Sequence, residues 1–134
     1  HRPKMPVLGK TPAPNRLGAI EFVIGDGVSL VTTGEKGSLQ IPFACTITAA
    51  TLLADQSGSV VVDIWKDSYA NYPPTVADTI TASAKPTLST AIKSTDSTLT
   101  GWTLSIIAGS ILKFNIDSVS TIRQLTIVLN VTKA

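Results

Sequence analysis

Hydrophobic and polar residues alternate with a period of two along most of this 134-residue chain, and no window carries the spacing of a long amphipathic helix. The clearest alternation is at Ile111–Val119, where Leu112, Phe114 and Ile116 lie opposite Ile111, Lys113, Asn115 and Asp117. It returns at Thr121–Thr132, with Arg123, Leu125, Ile127, Leu129 and Val131 opposite Ile122, Gln124, Thr126, Val128 and Asn130. Nearer the start, Ala19–Ile24 has strand composition and ends in Gly25-Asp26-Gly27, a turn signal. Val28–Thr32 reads as a second strand closed by Gly34-Glu35-Lys36-Gly37. Ser38–Phe43 follows, and its Pro42 marks an edge strand or a bulge. Thr46–Ala54 and Ser59–Lys66 flank Asp55-Gln56-Ser57-Gly58, which predicts a hairpin. Asp78–Ala82 fits either a short strand or a helical turn. Lys85–Asp96 reads as loop with a short extended piece, Leu99–Ser105 carries Trp102, and Ala108-Gly109-Ser110 turns the chain.

Eight or more short strands, separated by turns rich in Gly, Asp and Ser, predict an all-β fold without internal repeats. The expected architecture is an antiparallel β-sandwich, jelly-roll-like, over residues 17–134. Residues 1–16 differ in kind. Prolines at 3, 6, 12 and 14 prevent regular helix and favour an extended path, so this segment is expected to be an N-terminal arm or linker. It holds Arg2, Lys4, Lys10 and Arg16 with no acid among them, although the whole chain is only +2. A basic arm can bind nucleic acid or a membrane surface; a solvated leader is the alternative.

Composition narrows the class of protein. The length suits one domain with a real core. Charged residues make up 15% and aromatics 5%, while Thr and Ser supply about a quarter, a mix suited to half-buried pleated surfaces. Mean hydropathy is positive, yet no apolar run approaches the roughly 20 residues of a membrane-spanning helix, so no membrane insertion is expected. Cys45 is the one cysteine; it cannot form an internal disulfide and sits in the apolar run IPFACTI as an expected core residue. The start at His1, without a signal-peptide apolar region, reads as a processed chain or a fragment.

Catalytic chemistry is hard to place, and no enzymatic activity is expected. His1 is the only histidine, so no Ser-His-Asp or Cys-His arrangement has a base within residues 17–134. There is no zinc spacing, no EF-hand loop and no phosphate-cradling glycine motif; no metal or cofactor is expected. Asp63 and Asp67 are neighbours in sequence, while Asp55, Asp78, Asp96 and Asp117 are scattered, a pattern of turn and strand-end residues. Asn130-Val131-Thr132, a formal glycosylation acceptor inside a strand, carries no weight. The most informative stretch is Val60–Thr75, a strand that runs into an aromatic and proline corner at Tyr72-Pro73-Pro74. Trp65, Tyr69, Asn71 and Tyr72 are the candidate ligand-binding residues, since stiff aromatic faces suit sugar rings and protein partners. One of Ile64 and Trp65 is expected to face the core and the other solvent. The alternative reading has Trp65 and Trp102 filling the core or a subunit interface, with the tyrosines bracing the loop.

Three segments carry a resemblance: Gly18–Ile47, Leu52–Pro86 with its DIWKD and YPPT elements, and Ser97–Ile122 with LTGW. Together they resemble the C-terminal β-domain of bacteriophage and prophage fibre-like virion proteins of tail-fibre, head-fibre or collagen-like type. The resemblance implies a homotrimeric structural protein on the virion surface, capping a fibre and contacting the host, with no catalytic residues. On this expectation Arg2, Lys4, Lys10 and Arg16 attach to other virion proteins and the aromatic corner contacts a host glycan or protein. Nucleic acid is not an expected partner. A capsid decoration or head-fibre protein held to the shell by its arm is one alternative, and a carbohydrate-binding module is another.

Overall fold

The computed structural model of the chain describes residues 15–134. Seven antiparallel strands form one curled sheet: β1 (Leu17–Ile24), β2 (Gly34–Ile41), β3 (Cys45–Asp67), β4 (Thr87–Asp96), β5 (Ser105–Ile106), β6 (Ser110–Ser120) and β7 (Leu125–Lys133). Among the described residues one 3-10 turn, Val76–Asp78, overlaps the ambiguous segment Asp78–Ala82 at Asp78 alone; the rest of that segment is neither strand nor helix, and Thr79 bridges to Trp65. The all-β, antiparallel expectation holds for the described residues.

β3 is the spine of the molecule. One edge of it pairs with β7 from Cys45 to Ala54 and with β6 from Ser59 to Asp67. The other edge pairs with β5 at Cys45–Thr46 and with β4 on both sides of the strand's midpoint. β1 extends the sheet beyond β7, and β2 extends it beyond β6. The register with β4 slips between Leu53 and Gly58, where β3 bends. The curl brings β1 and β6, which share no ladder, face to face: Phe22 stacks on Phe114 with centroids 4.5 Å apart and planes 9° from parallel.

The hairpin expected at Asp55–Gly58 does not form. The chain continues through it as one 23-residue strand, because its turn residues serve a different turn. Asp55 Oδ1 accepts the backbone N–H groups of Arg123 and Gln124 at 2.9 and 3.0 Å, in the crossing from β6 to β7. Gly58 lies so close to that crossing that a Cβ would stand 2.6 Å from the Ser120 carbonyl oxygen. Three further expectations are corrected. Val28–Thr32 is loop, since Asp26 Oδ1 accepts the N–H groups of Val28 and Ser29 and folds the segment on itself. Gly34–Gly37, expected as a turn, opens β2 and carries a bulge against β6. Lys85–Asp96, expected mostly as loop, contains the ten-residue β4.

The core follows the alternation. Leu125, Ile127, Leu129 and Val131 of β7 are buried, as are Leu112, Phe114 and Ile116 of β6. Fully burying each such side chain stabilises the fold by about 1.5–3 kcal/mol. Cys45 is a buried free thiol, so the expected core placement holds, and burial pushes its pKa up despite the nearby Lys66 charge.

Candidate functional site

The second half of β3 is covered on both faces, which alters the expectation for Trp65. Ile64 and Trp65 are both buried, at 0% and 6% exposure, so neither faces solvent. Segment Thr79–Pro86 runs along the edge of this part of β3, opposite β6: Ile80 N–H donates to the Ile64 carbonyl at 2.9 Å and Val62 N–H to that of Pro86 at 2.9 Å. Trp102, also buried and part of the core, donates from Nε1 to the Ala84 carbonyl at 2.8 Å and holds the same segment. Both tryptophans are therefore packing residues.

Trp65 has a specific partner. Its Nε1–H donates to Asp63 Oδ2 at 3.0 Å, two residues back on the same face of the strand. Asp63 is 1% exposed in the middle of the apolar run VVVDIW, and its Oδ1 accepts from Thr79 Oγ1 at 2.6 Å, Thr81 Oγ1 at 2.8 Å and Ile64 N–H at 2.9 Å. Lys85 Nζ lies 3.7 Å from Oδ2 and 2.6 Å from Asp117 Oδ2, and Asn115 donates to the other Asp117 oxygen at 2.7 Å. Burial alone would raise the Asp63 pKa. The hydroxyls of Thr79 and Thr81, the Trp65 N–H and the Lys85 charge outweigh it and hold the carboxyl below its ordinary value. The network thus ties segment 79–85 to the sheet by a saturated carboxylate. Sequence spacing pairs Asp63 with Asp67, but four strand residues separate these by about 13 Å. The spatial neighbour is Asp117, found through strand pairing and neutralised by Lys85. The signal present in the sequence was an acid inside an apolar strand, which burial makes costly unless every lone pair is met.

The exposed chemistry lies beyond the end of β3. Tyr69 is 74% exposed and Tyr72 53%, and both belong to a loop that is braced from within. Asp67 Oδ1 accepts from Ser68 N–H at 2.7 Å and from Asn71 Nδ2 at 3.3 Å. Tyr72 N–H donates to the Tyr69 carbonyl at 3.2 Å, the Tyr72–Pro73 peptide is cis, and Pro74 is buried. Asn71 is therefore a brace as well as a surface group. Next to Tyr69, exposed Ile107 stands between two open grooves of about 420 and 350 Å³ that share Ser68, Ile107 and Ser110. Gln40 borders the first, and Lys66 borders the second while donating to the Ser105 carbonyl at 2.5 Å; burial lowers the Lys66 pKa despite the Cys45 thiol nearby. Hence Tyr69, Asn71 and Tyr72 share one surface that Trp65 does not reach. Ile107, Ala108 and Gln40 join it from distant parts of the chain.

Arg16, the residue before β1, lies near the same end. Arg16 is exposed, and its carbonyl accepts the Lys133 N–H at 2.7 Å, while β3 pairs Cys45 with both Lys133 and Ile106. Arg2, Lys4 and Lys10 lie outside the described residues. Among the described residues no group of three or more His, Cys, Asp or Glu is placed to hold a metal, and no helix is long and apolar enough to cross a membrane. No protein-family model matches the chain, and no curated protein matches it.

Proposed function

We propose that this protein is a bacteriophage virion structural protein whose curled sheet is a jelly-roll-like sandwich displayed as a self-associating, trimeric fibre or tip domain. In this reading the Tyr69–Tyr72 loop and Ile107 recognise a host surface ligand, with glycan as the favoured class. The observation that carries it is the exposure of Tyr69 and Ile107 at shallow grooves, with exposed Tyr72 three residues further along a loop held by Asp67, Asn71 and buried Pro74. Stiff aromatic faces beside amide and hydroxyl groups offer stacking and hydrogen bonds to a sugar ring with little ordering cost. The buried carboxylate network is saturated by its own donors, and it lines neither groove at this end. A binding role therefore fits the geometry better than a hydrolytic one.

The test combines a glycan array with binding to host cells, using the full chain. Wild type is expected to bind, and Tyr69→Ala and Tyr72→Ala to lose binding while keeping the wild-type melting curve. Absence of wild-type binding, or unchanged binding by both variants, refutes the recognition role. Electron microscopy of intact particles with a labelled chain tests the virion placement separately; a particle without label overturns it.

A further inference from the structure

The outward surface of β1, β7, the first half of β3 and β4 differs from the rest of the molecule in its charge. Strand pairing sets its rows: Glu21, Val128, Thr51 and Thr95 form one, and Val23, Thr126, Leu53 and Lys93 form the next. Leu17 and Ala19 of β1 continue it toward Asn130 and Thr132 of β7. Leu17 is 71% exposed, Val23 55% and Leu53 46%, while Thr51 and Thr95 join hydroxyls at 2.9 Å and so present methyl groups with their polar atoms already partnered. Between its two edges these rows carry no charge. Their only charged residues are Glu21 on β1 and Lys93 on β4, at opposite rims, and neither takes part in the three ion pairs of the described residues. The outward face of β2 and β6 is the reverse, bound up in Glu35–Lys113 at 2.5 Å and Lys85–Asp117 at 2.6 Å.

We infer that this charge-free face is where a second copy of the chain docks, with Glu21 of one copy beside Lys93 of the next. Four strands at about 4.8 Å by about seven residue rises of 3.4 Å give roughly 450 Å². That is the size of a functional patch on a monomer, and more than half of the roughly 800 Å² per partner in a standard stable interface. The occupant is another copy because the face is complementary to itself. Its centre lacks charge, as interface cores do, and its rims have opposite signs, so β1 of one copy placed along β4 of the next pairs each acid with a base. A face-to-face pair and a closed ring of three both satisfy this. The inference rests on the self-association in the proposed function and not on the tyrosine loop, so loss of one leaves the other standing.

Sedimentation velocity and native mass spectrometry of the full chain over about 1–100 μM test it. Wild type is expected to sediment increasingly as a multiple of the chain mass. Thr51→Arg and Leu53→Arg, both at solvent-facing positions, are expected to remain single chains with unchanged circular dichroism melts. Glu21→Lys should weaken association about tenfold, and Glu21→Lys combined with Lys93→Glu should restore it. A wild type that stays a single chain at the highest concentration overturns the inference. So does wild-type-like assembly by folded Thr51→Arg and Leu53→Arg, or a double charge reversal that assembles no better than the single one.

Discussion

Replacing Asp63 by alanine should be among the most damaging single changes outside the apolar core. The carboxylate is 1% exposed and accepts the Trp65 indole N–H, the Thr79 and Thr81 hydroxyls and the Ile64 N–H. Its removal strands the Trp65 N–H, the Ile64 N–H and one threonine hydroxyl, since Thr79 and Thr81, 3.2 Å apart, can satisfy only one of the pair. Each orphaned buried donor costs about 1–3 kcal/mol. Relief of the carboxylate's own desolvation offsets part of the loss, which leaves about 3–4 kcal/mol. That is a large share of the ~5–15 kcal/mol that holds a domain together, and corresponds to a fall in Tm of about 10–18 °C for a domain of this size. Asp63→Asn keeps one oxygen for the threonines but turns an amide N–H toward the Trp65 N–H, so it should lose about half as much. Urea unfolding followed by tryptophan fluorescence gives both values. A loss below about 1 kcal/mol for Asp63→Ala, or equal losses for the two variants, refutes the claim that this carboxylate fastens segment 79–85 to β3.

Further expectations follow from the same contacts. Asp63 is held below its ordinary pKa of 3.8 by donors that outweigh burial, and Asp26 and Asp55 are lowered chiefly by the N–H groups of Ser29 and Gln124. A folded-state pKa below the unfolded one means stability is fully present above 3.8 and is lost as pH falls through the folded values. Urea midpoints should therefore be flat from neutral pH down to that point and then decline, with a shallower decline in Asp63→Asn; an equal slope in both proteins contradicts the assignment. Gly58→Ala drives a methyl group to within 2.6 Å of the Ser120 carbonyl oxygen and the Thr121 hydroxyl, so it should cost about 2–3 kcal/mol by thermal melting, and a neutral result would show that the β3 bend can widen. Lys85→Met should cost no more than about 1 kcal/mol, because Lys85 and Asp117 are both partly solvated and solvent screens the pair; a much larger loss would make Lys85 essential to the Asp63 network.

Much of this molecule was legible along the chain because strand alternation is local. Leu125, Ile127, Leu129 and Val131 could face only one way once β7 was extended, and Lys113, Asn115 and Asp117 only the other. The exposed tyrosines were legible too, since Tyr72-Pro73-Pro74 ends a strand wherever it occurs. Pairing was not legible. Asp55-Gln56-Ser57-Gly58 has hairpin chemistry, yet Asp55 spends its oxygen on the N–H groups of Arg123 and Gln124, and the strand runs on. That outcome depends on a crossing some 68 residues away, beyond the reach of any local signal. Which of Ile64 and Trp65 faces solvent was likewise open along the chain, and both are buried once Thr79–Pro86 runs along the edge of β3.

By itself, then, the sequence determined an all-β chain, the inward residues of its regular strands, a core cysteine and an aromatic loop, because period, turn chemistry and composition act between near neighbours. Only the tertiary structure decided that β3 is a single bent spine, that Asp63 is a saturated internal fastener, and that one sheet face is free of charge between Glu21 and Lys93. Each of these depends on which strand lies beside which, and that is settled by burial and hydrogen bonding summed over the whole curled sheet.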